Sequence, residues 1–378
     1  MESFGYSALC EGKGRSGHSA GWARPAVFLL ESAVAKMPAH IDLVMSGQSK
    51  AAEVSYNRQT DNRRDYALAK RRHVEHFHLI YLLACVHNCV RIRQRNGLVK
   101  VKGGQQDMAL EQRDLSRMLE TAIVAARLAG QRAMEEINYL KVSVKNDTEL
   151  VTQADTRCQE IIIDRIKETY PDHGFIAEEG VDGRIFKQSP RGQDMLWWVI
   201  DPIDGTNNFA HRMLFFTVSV AVMHEGEPIV GVIFEPATDS MFTAVKDGDA
   251  QLNDRRITAS EEAMDKFASV GLESHFEGGA PGWACEIMQR TRFRNLGTTA
   301  LQLAYVAKGS MVATIANTPK LWDIAAGVVI NRAAEAVITD WQGGKIFPVD
   351  LDSYDGHKFQ IIAANQKVHG EVVELLRH

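Results

Sequence analysis

No apolar stretch in this 378-residue chain approaches the roughly 20 residues that a membrane-spanning helix needs. The longest candidate, Leu79 to Val86, is far too short. Cysteine is scarce too: five residues, widely scattered, exclude a disulfide framework and fit a reducing, cytoplasmic setting. With 29 Gly and 10 Pro, the chain lacks the bias of collagen-like or low-complexity proteins. The N-terminus carries Glu2 and Glu11 and has no basic-then-apolar segment, so no secretory signal is expected. What remains is an ordinary globular composition, 45% hydrophobic and 24% charged, long enough for one large domain or two to three small ones.

The net charge of −5 conceals an asymmetry. Residues 1–110 hold 16 Lys+Arg against 9 Asp+Glu, whereas the remainder holds 27 against 39. Such a split marks a boundary. Gly12 to Trp22 and Gln48 to Arg72 are polar and aperiodic, and low apolar content does not offset the entropy of ordering a chain. Short helices near Pro25–Lys36 and Val74–Arg93 are the exceptions expected there, and Gly97 to Gln106 reads as a linker. Residues 1–107 are therefore expected to be a basic extension, largely disordered or preceding the true start, with a catalytic domain over residues 108–378. His73, His76, His78, Cys85, His87 and Cys89 match no zinc spacing, and the Arg63-Arg64 and Lys70-Arg71-Arg72 runs read as solvated charge rather than a nucleic-acid surface.

Order begins after Met108. Leu115, Met118, Leu119, Ala122, Ile123, Ala126 and Ala129 recur at helical spacing, which predicts an amphipathic helix from Leu110 to Ile137. A strand pair near Lys141–Val144 and a helix over Thr152–Thr169 follow, ended by Tyr170-Pro171-Asp172-His173-Gly174. Phe175-Ile176-Ala177 and Leu196–Ile200 read as strands, then Phe216–His224, Ile229–Glu235 and Ser240–Lys246 as a run of hairpins. Ala268–Leu272, Ala300–Ala307, Ile324–Ala336 and Phe359–Ala364 complete a layered α/β protein. Cys158 and Cys285 read as buried core thiols.

The chemistry concentrates in Asp201-Pro202-Ile203-Asp204-Gly205-Thr206-Asn207-Asn208-Phe209. Two aspartates three apart leave a buried strand on a proline-stiffened turn, a donor set for hard cations. Gly205-Thr206 then offers backbone N–H groups where a helix or turn begins, a seat for phosphate. Glu178-Glu179 follows a short strand, Asp323 opens an apolar helix in Trp322-Asp323-Ile324-Ala325-Ala326-Gly327, and Asp155 follows Thr152. Taken singly, these last three read as a solvated loop, an N-cap and first-turn charge.

Together, in this order, they resemble the inositol monophosphatase family of magnesium-dependent, lithium-sensitive phosphatases over about Leu110 to Leu376. Two signatures carry the resemblance, Trp198 through Phe209 and Leu321 through Gly327, with Thr217–Ala221 and Leu296-Gly297-Thr298-Thr299-Ala300-Leu301 in support. The resemblance implies a layered α-β-α-β-α sandwich and a homodimer. It assigns Glu178, Asp201 and the Ile203 carbonyl to one Mg2+, and Asp201, Asp204 and Asp323 to a second. Asp155 would help to place a third through water, while Thr206 and Glu178 would orient the attacking water. Gly205, Thr206, Gly297, Thr298 and Thr299 fall on the substrate side, with Lys145 at the rim.

Inositol-specific members place a glutamate six or seven residues before the second-motif aspartate, where this chain has Asn317 and Ala316. Asn317 can bond a hydroxyl but discriminates less as a neutral group. A second departure is Ala333-Ala334-Glu335-Ala336, where the family usually has Glu-Ala-Gly-Gly. The expected activity is Mg2+-dependent hydrolysis of a small polyol or sugar phosphate, inositol 1-phosphate first. Fructose 1,6-bisphosphate and histidinol phosphate are the competing substrates. The alternative of another class is a regulatory protein contacting transcription machinery or RNA.

Overall fold

The computed structural model describes residues 110–139, 142–145, 149–191, 195–273, 276 and 278–377. The expectations for residues 1–107, including the six His and Cys and the basic runs, lie outside the described residues. Helix α1 (Gln112–Glu136) leads into the hairpin β1 (Val142–Lys145) and β2 (Glu149–Thr152), then α2 (Gln153–Lys167). Next come β3 (Gly174–Ala177), β4 (Phe186–Gln188), β5 (Trp197–Asp204) and the single turn of α3 (Thr206–Ala210). A meander follows: β6 (Thr217–His224), β7 (Glu227–Glu235), β8 (Ser240–Val245), β9 (Gln251–Leu252) and β10 (Arg255–Arg256). The chain continues through β11 (Ser269–Leu272), α4 (Gly282–Arg290), β12 (Arg292–Arg294), α5 (Thr299–Ala307) and β13 (Ala313–Ala316). It closes with α6 (Leu321–Ala333), β14 (Val337–Thr339), β15 (Ile361–Ala364) and α7 (His369–Leu376).

Strand alternation explains the layers. In β5, Trp198 and Ile200 face one core with α1 and α2, whereas Trp197 and Val199 face a second core filled by α5 and α6. In β15, Ile361 and Ala363 join that same central core, and Ile362 and Ala364 pack outward with Ile287 of α4 and Val372 of α7. An eight-stranded and a five-stranded sheet thus sandwich a helical layer, with helices on both outer sides. This is the expected α-β-α-β-α arrangement. Each sheet is covered on both faces, which is why its strands read as unbroken apolar runs.

Two expectations are adjusted, and one departure from the family pattern is placed. The helix expected from Ile324 begins at Leu321 and ends at Ala333, so Asp323 occupies its first turn rather than its N-cap. Glu335, at the position where the family usually has glycine, sits in the left-handed region at φ 66°, a conformation in which a Cβ is strained. Cys158 is buried, but Cys285 is only half-buried. Among the described residues, no helix is long and apolar enough to cross a membrane.

Candidate active site

Strand register builds the floor of the site. Strands β3 and β5 pair in parallel with Ala177 beside Ile200, so the next residues, Glu178 and Asp201, emerge together from the same sheet end. Glu178 N–H donates to the Ile200 carbonyl at 3.3 Å. The antiparallel neighbour β6 sets Ser219 opposite Asp201 and Thr217 opposite Asp204, with an irregularity between the two aspartates. That irregularity contains Pro202, which has no N–H for the ladder. The Asp201 carboxylate accepts from the Ile203 N–H at 3.0 Å, tightening the turn.

Ser219 also recruits the third carboxylate. Its hydroxyl donates to the Trp322 carbonyl at 3.0 Å, which fixes the start of α6 beside Asp201. In that first turn, Asp323 accepts from the Lys320 N–H at 2.7 Å and the Leu321 N–H donates to the Tyr354 hydroxyl at 2.9 Å. Carboxylate oxygens of Asp201, Asp204 and Asp323 consequently lie within 4.8 Å of one another. Asp204 is held most tightly. The Thr298 hydroxyl donates to it, as do the Ala300 N–H at 2.7 Å and the Thr299 N–H at 3.3 Å. The N-terminus of α5 is therefore aimed at a carboxylate, a favourable dipole arrangement.

Three like charges in a buried space are costly. Burial, then the charges of Glu178, Asp204 and Asp323, pushes the Asp201 carboxyl well above the ordinary range. Burial and Asp323 push Asp204 up to about 7 even though three donors pull the other way. The donor set is all oxygen, anionic and convergent, which suits a hard divalent cation such as Mg2+. Glu178 is close enough to Asp201 to raise its pKa, which places it at the same floor.

Thr206 and Asp155 form the second part. Thr206 Oγ1 lies 3.1 Å from Asp155 Oδ1 and 3.0 Å from the Ile203 carbonyl, and donates its one proton to either. The other Asp155 oxygen accepts from the N–H and hydroxyl of Thr152, at 2.8 and 2.5 Å, in a capping box at the start of α2. Burial raises the Asp155 carboxyl to about 6. One turn along α2, the Gln159 amide brackets Glu179, donating to its carbonyl at 2.5 Å and accepting from its N–H at 2.9 Å. That pair pins the loop that carries Glu178.

A cleft of about 520 Å³ opens from Asp204 and Asp323, and its lining includes Glu273, Gly297, Thr298, Thr299, Asn317 and Lys358. The expected substrate residues fall in two groups. Gly297, Thr299 and Asn317 line the cleft, and so does Thr298, although its hydroxyl is engaged by Asp204. Gly205, at φ 97°, turns the chain into α3 against the Gly297 carbonyl, where no side chain fits comfortably. Lys145 ends β1, and its side chain lies outside the described set. Sequence reasoning gave Gln159, Ser219 and Glu273 no role. Gln159 had a signal, since it lies four residues from Asp155 on the same helix face. Ser219 lay inside the Thr217–Ala221 string that supports the resemblance, but only strand register gives it and Glu273 their neighbours.

Known proteins of similar sequence and fold are found for this chain. Residues 114–378 match the inositol monophosphatase family. An inositol-1-monophosphatase of Mesorhizobium japonicum is 33% identical over 240 residues, covering 61% of this chain and 88% of its own. The protein named Nus factor SuhB in Escherichia coli K12 is 35% identical over 272 residues, covering 69% and 98%. The solved IMPase structure from Thermotoga maritima superposes with a TM-score of 0.59 at 30% identity, covering 69% of this chain and 97% of that one.

Proposed function

This chain belongs to the inositol monophosphatase family, and on that premise we propose that it is a Mg2+-dependent phosphomonoesterase acting on a small polyol phosphate, inositol 1-phosphate first. The observation that carries the reading is the convergence of Asp201, Asp204 and Asp323 within 4.8 Å at the end of an open cleft. Glu178, Asp201 and the Ile203 carbonyl would hold one Mg2+, and Asp201, Asp204 and Asp323 a second. Bound there, Mg2+ would neutralise phosphate oxygens and make hydroxide available near neutral pH.

The protein's own groups do the rest. Thr206 Oγ1, directing its proton to Asp155 Oδ1, turns its lone pairs outward to accept from an attacking water and fix its line of approach. Asp155, raised to about 6, is poised to take a proton through that hydroxyl. Gln159 holds the backbone at Glu179, so Glu178, leaving β3 at the same sheet end as Asp201, would face the same water. Gly205 and the first turn of α3 supply N–H groups to the phosphate.

Phosphate release from inositol 1-phosphate, fructose 1,6-bisphosphate, histidinol phosphate and 3′-phosphoadenosine 5′-phosphate, with and without Mg2+, tests the reading. Turnover that requires Mg2+ and favours inositol 1-phosphate is expected. Absence of turnover on all four would refute it and favour a regulatory role, a reading kept in view by relatives named Nus factor SuhB.

A further inference from the structure

The lining of the cleft has chemistry besides that of the aspartates. Strands β11 and β13 run parallel with Leu272 beside Ile315, so Glu273 and the Ala316-Asn317 step leave the five-stranded sheet at the same end. Antiparallel β15 brings Ile361 beside Ala316 and delivers Gln360 to the same place. One Glu273 carboxylate oxygen accepts from the Asn317 N–H at 3.1 Å and lies 3.5 Å from the Thr318 hydroxyl. The Asn317 side-chain carbonyl accepts from the Gln360 amide at 2.6 Å, which fixes the amide's orientation and leaves its Nδ2 protons as the donors. Glu273, Asn317 and Lys358 all line the cleft.

We infer that this wall reads the hydroxyls of an uncharged leaving group, and that Glu273 is the residue that selects a polyol monophosphate over a substrate bearing a second phosphate. The inference rests on the phosphatase reading above, which places the scissile phosphate at the aspartates. A carboxylate and an oriented amide supply an acceptor and donors, the pair a sugar hydroxyl needs, and a hydroxyl bonded to a carboxylate is charge-assisted. A second phosphate would lie against Glu273 instead. Among the described lining residues, Lys358 is the one cation set against that repulsion. Selectivity here comes from a like charge set against the wrong ligand as much as from bonds to the right one.

The test is Glu273→Gln in the full chain, which keeps an acceptor for the Asn317 N–H and removes the charge. Two quantities are compared between variant and wild type for inositol 1-phosphate and fructose 1,6-bisphosphate. One is kcat/KM with Mg2+; the other is calorimetric affinity with Ca2+, another cation that takes oxygen ligands. The expected result is a shift of preference toward the bisphosphate of about tenfold in both quantities, with KM rising for the monophosphate and falling for the bisphosphate. Equal change on both ligands, or none, overturns the inference and leaves Glu273 a brace for the 317–318 turn. If wild type hydrolyses neither ligand while the binding preference still shifts, the phosphatase reading fails and the selectivity of the wall stands.

Discussion

The floor and the wall of the cleft are built on the same plan and differ in what they hold. Both lie where parallel strands end, β3 with β5 for the floor and β11 with β13 for the wall. The floor gathers three carboxylates whose charges are mutually unfavourable until a cation joins them. The wall sets one carboxylate among amides and a hydroxyl, all within ordinary hydrogen-bond chemistry. On the function proposed above, the difference separates two tasks: the floor would store unfavourable electrostatics for chemistry, and the wall would carry milder polarity for choosing a substrate.

Removing a floor charge should have the largest effect. Asp201→Asn is expected to reduce Mg2+-dependent phosphate release by about 10⁴-fold, the several kcal/mol a Lewis-acid site supplies. The metal-free variant should melt higher than wild type, since a repulsive charge is gone. Phosphate assays and thermal melts in chelator check the two halves.

The floor also predicts a pH dependence that the wall does not. The folded pKa of Asp204, about 7, is above its unfolded value of 3.8, so its contribution to stability is fully present below about pH 4. That contribution is lost as pH rises through about 7. Metal-free protein should therefore lose on the order of 10 °C in melting temperature between pH 5 and pH 8, and saturating Mg2+ should abolish most of that slope. A flat profile in chelator would show that the aspartates are better solvated than their burial implies.

Smaller effects probe how the floor is held. Thr206→Val should lower kcat about a hundredfold with little change in KM, because the lost group orients water rather than substrate. Thr206→Ser should restore most of the rate. Ser219→Ala removes the hydroxyl that positions α6 and should raise the Mg2+ concentration for half-maximal activity about tenfold, as outer supports of metal ligands do. Glu335→Gly, remote from both regions, should stabilise the fold by roughly 0.5–1 kcal/mol by relieving the left-handed backbone, measured by denaturant unfolding.

Much of the floor was legible in sequence because its parts are local strings. Asp201 and Asp204 lie three apart on one strand end, and Asp323 sits beside the tryptophan whose carbonyl anchors it. Taken singly, Asp155 was legible as helix charge, which the capping box with Thr152 accounts for, and the family resemblance alone gave it a role at the site. The contact to Thr206, 51 residues away, depends on tertiary packing. A layered α/β protein was legible because two-face burial writes continuous apolar runs, and the resemblance to the family implied that the layers number five. The wall was legible only at Asn317. Glu273 follows the expected element Ala268–Leu272 with no motif around it, and only the β11–β13 register shows that it reaches Asn317. Cys285 misled for a related reason, since residue type alone does not reveal which face of α4 it occupies.

On the proposed function, Asp201, Asp204 and Asp323 form a divalent-cation centre that drives phosphate release. Its most direct test is a titration of Mg2+ into metal-free full-length protein, following binding by calorimetry and phosphate release from inositol 1-phosphate in the same samples. Saturable binding that Asp201→Asn abolishes, with phosphate release rising in step with occupancy, is the predicted result. Phosphate release that persists in Asp201→Asn, or wild-type protein that binds no Mg2+ saturably, would contradict it.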